Sequence, residues 1–307
     1  MNGVLVVDKP PGPTSHDVVA KARRAIGISR IGHTGTLDPY ATGVLPLVVG
    51  RATRLAQFLT VDDKEYVAGV RFGKASPTYD ADYRIHADDS GNVAVMGPPP
   101  RPPADVDAER IQAFLPDFTG TYLQTPPPFS AKKISGVPAY KLARRQVRVE
   151  IAPVPVTVHA ITLEGYDAGL ARLRVVCSSG FYVRSLAHGL GERFGCGAHL
   201  ESLRRTRVGE FGLEHALPLD QLEREGPRAL RHLVPMGSLM PFLPPVVVNE
   251  RGARRAAHGN ALAPGDLAEP AVAAAAPRVR VLDTDGTLLG IAEPAEGGLL
   301  HPVVVLV

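Results

Sequence analysis

The sequence contains no tryptophan and only two cysteines, Cys177 and Cys196, among its 307 residues. The cysteines form no CxxC pair, so the pattern predicts neither a thiolate zinc site nor a redox motif. Their scarcity is typical of a reducing compartment. Because tryptophan is absent, any stacking on a ligand falls to the eight tyrosines and nine phenylalanines. With no complete set of metal ligands and no phosphate-binding loop, we expect neither a metal nor an organic cofactor.

Long apolar runs are absent as well. No stretch approaches the roughly 18 residues of a membrane span. The opening residues, MNGVLVVDKPPG, have no basic segment and a single short apolar stretch at 4–7, which predicts no signal peptide. We therefore expect a cytoplasmic protein without membrane contact. Thirty-four Lys and Arg against 31 Asp and Glu leave a net charge of +3, which excludes a polycation but allows a local basic groove.

The order of the predicted elements favours an α+β fold. Hydrophobic residues make up 45% of the chain and charged residues 21%, as in a globular protein of about two domains. Thr14 and Asp17 form a capping-box pattern that predicts a helix start. Helices and strands do not alternate regularly, which disfavours a doubly wound sheet. The patterns predict strands at 3–7, 64–73 and within 150–178, and helices at 15–26, 107–115, 184–194 and 197–205.

The last sixty residues are predicted to form a separate small β domain. The proline-rich stretch 241–245 has the composition of a linker. Beyond it, short apolar runs flank the pair Asp285-Gly286, which is a hairpin signal. We therefore divide the chain into residues 1–240 and 246–307.

The densest unusual segment is GHTGTLDPYATG at residues 32–43, with three glycines, one imidazole and one carboxylate. Glycine permits positive φ and close approach of a ligand to the backbone, and Pro39 restricts Asp38 to an extended or turn conformation. The segment therefore predicts one carboxylate projecting from a stiff loop. On these residues alone, Asp38 also fits a turn cap. His33 and Asp38 are two candidate metal ligands without a third.

The longer string GHTGTLDPYATGVLPL closely resembles the catalytic motif of the tRNA pseudouridine synthase B (TruB) family. The blocks that also resemble the family, in order, are GVLVVDKPPGPTSHDVV, KEYVAGVRFG, QTPPPFSAKKISGVPAYKLAR and SSGFYVRSLAHGLGERFGCGAHLESLRRTRVG. The resemblance implies a catalytic domain with a mixed, largely antiparallel sheet over 1–240 and a PUA-like RNA-binding module over 246–307. The sequence departs from the family at Tyr83, where a glycine is usual, and in the proline-rich excursion 84–105. The departure concerns the geometry of that loop, not the catalytic loop.

The resemblance assigns Asp38 as the nucleophile and Arg184 as the partner that keeps it ionised. Arginine suits this role because its planar fork stays protonated. If residues 180–184 are extended, Tyr182 and Arg184 share one face, although an exposed arginine beside a half-buried tyrosine explains the same pattern. The resemblance also assigns Tyr66 to stacking on the target uracil. Its place in an alternating apolar strand is equally typical of a core residue.

Further residues receive weaker roles from the resemblance. His33 either occupies the place left by a flipped nucleotide or holds a turn. Leu203 lines the uracil pocket, although a leucine on an amphipathic helix is a core residue by default. Lys9 and Lys133 are candidates for structural or RNA-contact roles. Basic clusters that fit phosphate contacts are the acid-free stretch between Asp117 and Glu150, the helix with Lys21, Arg23 and Arg24, and the trio Arg204, Arg205 and Arg207.

These assignments imply an enzyme that converts a uridine in the T-loop of tRNA, position 55 in the family, to pseudouridine. They imply no guide RNA and no obligatory protein partner. Two alternatives remain open: a guide-RNA-dependent relative that modifies ribosomal RNA, and a non-catalytic protein that binds or helps to fold tRNA. The absence of a long lysine-rich tail favours the stand-alone enzyme over the guide-dependent one.

Overall fold

The structure is a computed structural model that describes residues 1–81, 105–130, 132–134, 137–139, 151–269 and 276–307. Tyr83, nearly all of the excursion 84–105 and the basic residues at 141–148 lie outside these ranges. Lys133 is described only through its backbone, which forms part of a short strand. The predictions made for these residues therefore stay predictions.

A large mixed sheet organises most of the described chain. Its strand order is β12-β1-β3-β10-β4-β9-β8-β5, with β2, β11 and β13 paired at its side. Among these pairs only β1–β12 and β3–β10 are parallel, so the largely antiparallel α+β fold is confirmed. The strands of this sheet are β1 Gly3–Lys9, β2 Ile31–His33, β3 Thr42–Val49, β4 Lys64–Phe72, β5 Gly120–Gln124, β8 Val154–Asp167, β9 Leu170–Cys177, β10 Ala198–Val208, β11 Phe211–Gly212, β12 Leu217–Pro218 and β13 Val234–Pro235. The short strands β6 Lys133–Ile134 and β7 Val137–Pro138 pair with each other in a separate two-stranded sheet.

Helices and 3-10 turns cover the sheet. The first helix begins as predicted, because Thr14 and Asp17 form both bonds of a capping box. It ends at Gly27, which adopts a left-handed φ of 77°. Its buried residues, including Val18 and Ile26, pack against β1 and β3. The helices are α1 Ser15–Ile26, α2 Ala56–Leu59, α3 Ala108–Phe114, α4 Val183–Phe194, α5 Leu219–Glu225 and α6 Glu250–Ala257.

The helix predicted at 197–205 was wrong, because this segment is the central strand β10. It pairs with β3 on one side and with β4 on the other. Register shifts at 200–202 and 205–207 interrupt its side-chain alternation. The buried residues Leu200 and Leu203 are therefore three apart, a spacing that also suits a helix.

The extended conformation considered for 180–184 was also wrong. Gly180 has a φ of 82° in a turn, and Tyr182 is the N-cap of α4. Arg184 is therefore the second residue of a helix, and strand alternation does not relate it to Tyr182.

A second, four-stranded sheet lies at the C-terminal end, in the order β14-β15-β16-β17. The predicted hairpin is present: Asp283 N donates to Thr287 O at 3.0 Å across the turn. Leu288, Ile291 and Val304 share one apolar cluster with Leu239 and with Val4 of β1, so this sheet packs on the large one. The strands are β14 Pro245–Val247, β15 Val279–Leu282, β16 Leu288–Ala295 and β17 Leu299–Val305.

Within the described ranges, no helix has the length and apolar character needed to cross a membrane.

Candidate active site

A cleft of about 520 Å³ opens beside the central strands of the large sheet. Its walls come from the loop 34–38, the start of β4, the segment 178–184 and β10. Five residues proposed from the sequence line it together: Asp38, Tyr66, Tyr182, Arg184 and Leu203. The fold thus brings into one cavity side chains that are up to 165 positions apart in the chain.

Asp38 projects from the loop between β2 and β3, and buried side chains hold its neighbours. Ser15 Oγ accepts from Leu37 N at 2.8 Å. Lys9 Nζ donates to Pro39 O at 2.8 Å and to Ala41 O at 2.7 Å. The backbone on both sides of Asp38 is therefore fixed, while its own side chain remains one-third exposed to the cleft.

Lys9 itself is fully buried. Burial lowers the pKa of its ammonium to about 8, and Asp38 opposes that shift. All three of its bonds go to backbone carbonyls. Of the two roles considered for Lys9, the structure therefore favours the structural one, since the ammonium presents no surface to a phosphate.

We predict that Lys9→Met lowers stability but leaves unchanged the salt dependence of the RNA binding that the sequence resemblance implies. Methionine fills similar space but leaves the carbonyls of Pro39 and Ala41 without a donor, at a cost of about 1–3 kcal/mol. Chemical denaturation measures the loss, and the slope of log K against log salt tests for a phosphate contact. A slope reduced by about 1 would mean that Lys9 binds phosphate.

Arg184 is the partner of Asp38. Its Nε lies 3.0 Å from Asp38 Oδ2, and its Nη2 donates to Oδ1 at 3.3 Å. The guanidinium is 5% exposed. Its Nη1 donates to Phe129 O at 2.9 Å and to Thr78 O at 3.2 Å. The arginine therefore presents a fixed cation to both carboxylate oxygens, through an ion pair from Nε and a hydrogen bond from Nη2.

Asp80 is a second carboxylate beside Arg184, and it was not among the residues predicted from the sequence. Its Oδ2 lies 3.5 Å from Arg184 Nη1, and its Oδ1 accepts from Thr78 Oγ1 at 2.7 Å. It is almost fully buried. Arg184 thus lies between two carboxylates, one buried and one facing the cleft. The only feature of the sequence that could have indicated its role is that three polar residues, Ser76, Thr78 and Asp80, follow the apolar strand β4.

The two tyrosines that line the cleft, Tyr66 and Tyr182, are largely buried. Burial raises the pKa of the Tyr66 hydroxyl, and the nearby Arg205 guanidinium partly offsets this. Gln124 exchanges two hydrogen bonds with the backbone of Tyr182, at 2.8 and 3.1 Å. Burial raises the pKa of Tyr182 too. Both hydroxyls therefore stay protonated at physiological pH, and Leu203 adds an apolar wall.

His33 lies at the end of β2, outside the lining of the cleft. Gly35 N donates to its Nδ1 at 3.3 Å, and its ring contacts His16 edge-on at 5.3 Å. Burial lowers its pKa to about 4, so the imidazole is neutral at physiological pH. The observed contacts are those of the turn-holding alternative.

The trio Arg204, Arg205 and Arg207 was expected at an RNA surface, and for Arg205 this was wrong. Arg205 is 1% exposed and donates to Val44 O at 2.7 Å and to Gly35 O at 3.0 Å. It therefore braces the backbone before Asp38 as Lys9 braces the backbone after it. Arg204 pairs with Asp8 at 2.7 Å.

Gly43 makes this packing feasible. Its φ is 102°, and an added Cβ would stand 2.1 Å from Arg205 O. A side chain there would separate β3 from β10 and displace the loop that carries Asp38.

Comparisons with known proteins match nearly the whole chain. Residues 23–183 match the model of the TruB family pseudouridylate synthase (N terminal domain), and residues 184–240 that of the tRNA pseudouridylate synthase B C-terminal domain. The tRNA pseudouridine synthase B of Solibacter usitatus is 44% identical over the full length of both chains. That of Dechloromonas aromatica is 39% identical over 98% of this chain and 94% of its own.

Solved structures agree in fold. The structure of a Cbf5-Nop10-Gar1 complex has a chain that is 26% identical, with a TM-score of 0.73, over 99% of this chain and 85% of that one. A chain of an H/ACA RNP bound to a substrate RNA containing 2'-deoxyuridine is 25% identical, with a TM-score of 0.71, over 99% and 85%.

The fold, the cleft and these matches define a pseudouridylate synthase, an enzyme that isomerises uridine to pseudouridine. Within that class, the chain belongs to the TruB family.

Proposed function

We propose that this enzyme acts on tRNA, at the T-loop uridine of position 55, without a guide RNA, a metal or an organic cofactor. The observation that carries the proposal is the Asp38–Arg184 pair, which joins a braced loop to a buried guanidinium inside an aromatic-lined cleft. The relatives at 39–44% identity are named tRNA pseudouridine synthase B, which supports tRNA as the substrate.

The reaction breaks the bond between uracil and ribose, turns the base and rejoins it through carbon. It needs no electron transfer and no external group. Asp38 supplies the nucleophile, as an ionised carboxylate that forms a covalent intermediate by attack on either the base or ribose C1′. Arg184 contacts both oxygens of that carboxylate and orients it.

A base inside a helix or a stacked loop cannot reach Asp38, so the target uridine is flipped into the cleft. The cleft volume lies in the range of small-molecule sites. Tyr66 stacks on the uracil, and Tyr182 and Leu203 complete its walls. The exposed basic residues contact the phosphates of the T-arm.

We also propose that residues 1–240 form the catalytic domain and residues 246–307 a PUA-like RNA-binding domain, and that the enzyme works in the cytoplasm. A gel-shift comparison of the full chain with exposed arginine variants of α6, such as Arg254→Ala, tests the RNA-binding role. Unchanged tRNA affinity would remove α6 from the interface.

The test of the proposed function uses purified protein alone with an unmodified tRNA transcript. We expect conversion of one T-loop uridine, and no product from a matched transcript with cytidine at that position. Absence of product, with conversion only after a guide RNA and partner proteins are added, would favour the guide-dependent alternative. Tight binding without any product would favour the non-catalytic one.

A further inference from the structure

Tyr79 occupies a backbone conformation that tyrosine rarely adopts. Its φ is 64°, in the left-handed region where Cβ is crowded by the backbone. A bulky residue persists there only when its surroundings determine the conformation. The residue lies between Thr78 and Asp80, which both contact Arg184, so its strain adjoins the catalytic group.

Two sets of contacts hold this loop. Tyr79 N donates to Ser76 O at 3.1 Å, which closes a turn. Tyr79 O accepts from Leu200 N, and Ala81 N donates to Leu200 O, both at 2.9 Å. These bonds tie the loop to β10.

The second contact is a ring stack on α4. The rings of Tyr79 and His188 are parallel within 5°, with centroids 3.9 Å apart. His188 follows Arg184 by four residues and therefore lies on the same side of the helix, one turn later. The loop thus contacts α4 at two successive turns, at Arg184 and at His188.

We propose that the Tyr79–His188 stack is a positioning device for Arg184. The stack offsets the strain at Tyr79 and holds the loop against α4. Thr78 O and the Asp80 carboxylate then reach Arg184 Nη1, and the guanidinium is aimed at Asp38. The proposal rests on the proposed function, because it assigns the stack a role in the same reaction.

The electrostatics of the two rings agree with this role. Burial lowers the pKa of His188 and raises that of Tyr79. Both rings are therefore uncharged at physiological pH, so they stack without adding a charge one turn from the Arg184 guanidinium.

The test separates the ring from the backbone. Glycine adopts positive φ without penalty, so Tyr79→Gly removes the strain together with the stack. If the ring only occupies space, this variant turns over like wild type. We expect instead that kcat falls roughly ten- to a hundredfold, as for small misplacements of a catalytic group, while the Kd for tRNA stays within about twofold.

Matched variants complete the design. His188→Ala should lose a similar factor, and the double variant should lose no more than either single one, because the two residues act as a pair. Tyr79→Phe and His188→Phe retain a stacked ring and should keep nearly wild-type kcat. Additive losses in the double variant would overturn the proposal.

Amide hydrogen exchange provides a readout that does not require catalysis. In Tyr79→Gly and His188→Ala, the amides of Ala81 and Leu200 should exchange faster than in wild type. Unchanged exchange would mean that the stack does not hold the loop, whatever the activities show. A wild-type enzyme that makes no pseudouridine in tRNA would defeat the proposed function, and the exchange data would still decide the role of the stack.

Discussion

Asp38→Asn is expected to abolish pseudouridine formation, by at least about a thousandfold, and to leave tRNA affinity within a few-fold. The amide has the size of the carboxylate but carries no negative charge and cannot act as a nucleophile. It also meets two donors, Arg184 Nε and Nη2, where the carboxylate offered two acceptors. The amide NH₂ group of the asparagine therefore faces one of the two arginine N–H donors, and that contact becomes unfavourable.

Binding should survive because the change is confined to the cleft. The braces from Lys9, Ser15 and Arg205 hold the loop through backbone atoms, and none of these hydrogen bonds uses the Asp38 side chain. We expect phosphate contacts elsewhere on the surface to supply most of the affinity.

The measurement is single-turnover pseudouridine formation together with filter binding on one preparation, with the residue at position 38 verified by mass spectrometry. Asp117→Asn is the matched control, since it replaces a half-exposed surface carboxylate paired with Arg193. Appreciable turnover by the Asp38 variant would remove Asp38 as the nucleophile. A large loss of affinity would mean that the carboxylate organises the binding surface as well.

The elements with uninterrupted patterns could be predicted from the sequence. β4 alternates from Tyr66 to Phe72 without a bulge, and its burial follows that alternation except at Gly69, which is also buried. The capping box at Thr14 fixes the start of α1 within a few residues. In both cases, neighbours in sequence determine the structure.

The wrong and missed predictions concern residues whose conformation or burial depends on contacts with parts of the chain that are distant in sequence. In β10 the two bulges shift the apolar positions to a helical spacing. A basic residue in a basic run is usually exposed, so the sequence did not indicate that Arg205 would be buried against backbone carbonyls of the loop that carries Asp38. Asp80 was missed for the same reason: its contact with Arg184 spans 104 positions and exists only in the folded chain.

Arg184→Lys should reduce kcat strongly, by roughly a hundredfold or more, although the positive charge is retained. The guanidinium contacts four oxygen-bearing groups at once: both oxygens of Asp38, the carboxylate of Asp80, and the carbonyls of Phe129 and Thr78. A lysine ammonium has three donors at a single point and lacks the planar fork. It cannot span these groups from one position, so at least one buried acceptor loses its donor.

The Arg184→Lys substitution should disturb the orientation of the Asp38 carboxylate rather than the long-range electrostatic attraction of tRNA. With the fork lost, the Asp38 carboxylate is no longer held at both oxygens, and its approach to the bound uridine becomes imprecise. The long-range field of the site keeps its sign, so the Kd for tRNA should change by no more than about threefold. We therefore expect a loss in kcat with little change in binding.

A second variant separates charge from geometry. Asp80→Asn leaves the Arg184 fork on Asp38 intact but removes the buried anion behind it, so it should cost less kcat than Arg184→Lys. Single-turnover rates and Kd values for both variants, with thermal melts to confirm folding, give the comparison. Near-wild-type turnover in Arg184→Lys would show that charge alone suffices at this position. A loss confined to tRNA binding would instead place Arg184 among the phosphate contacts, and Asp38 would then need another group to hold it.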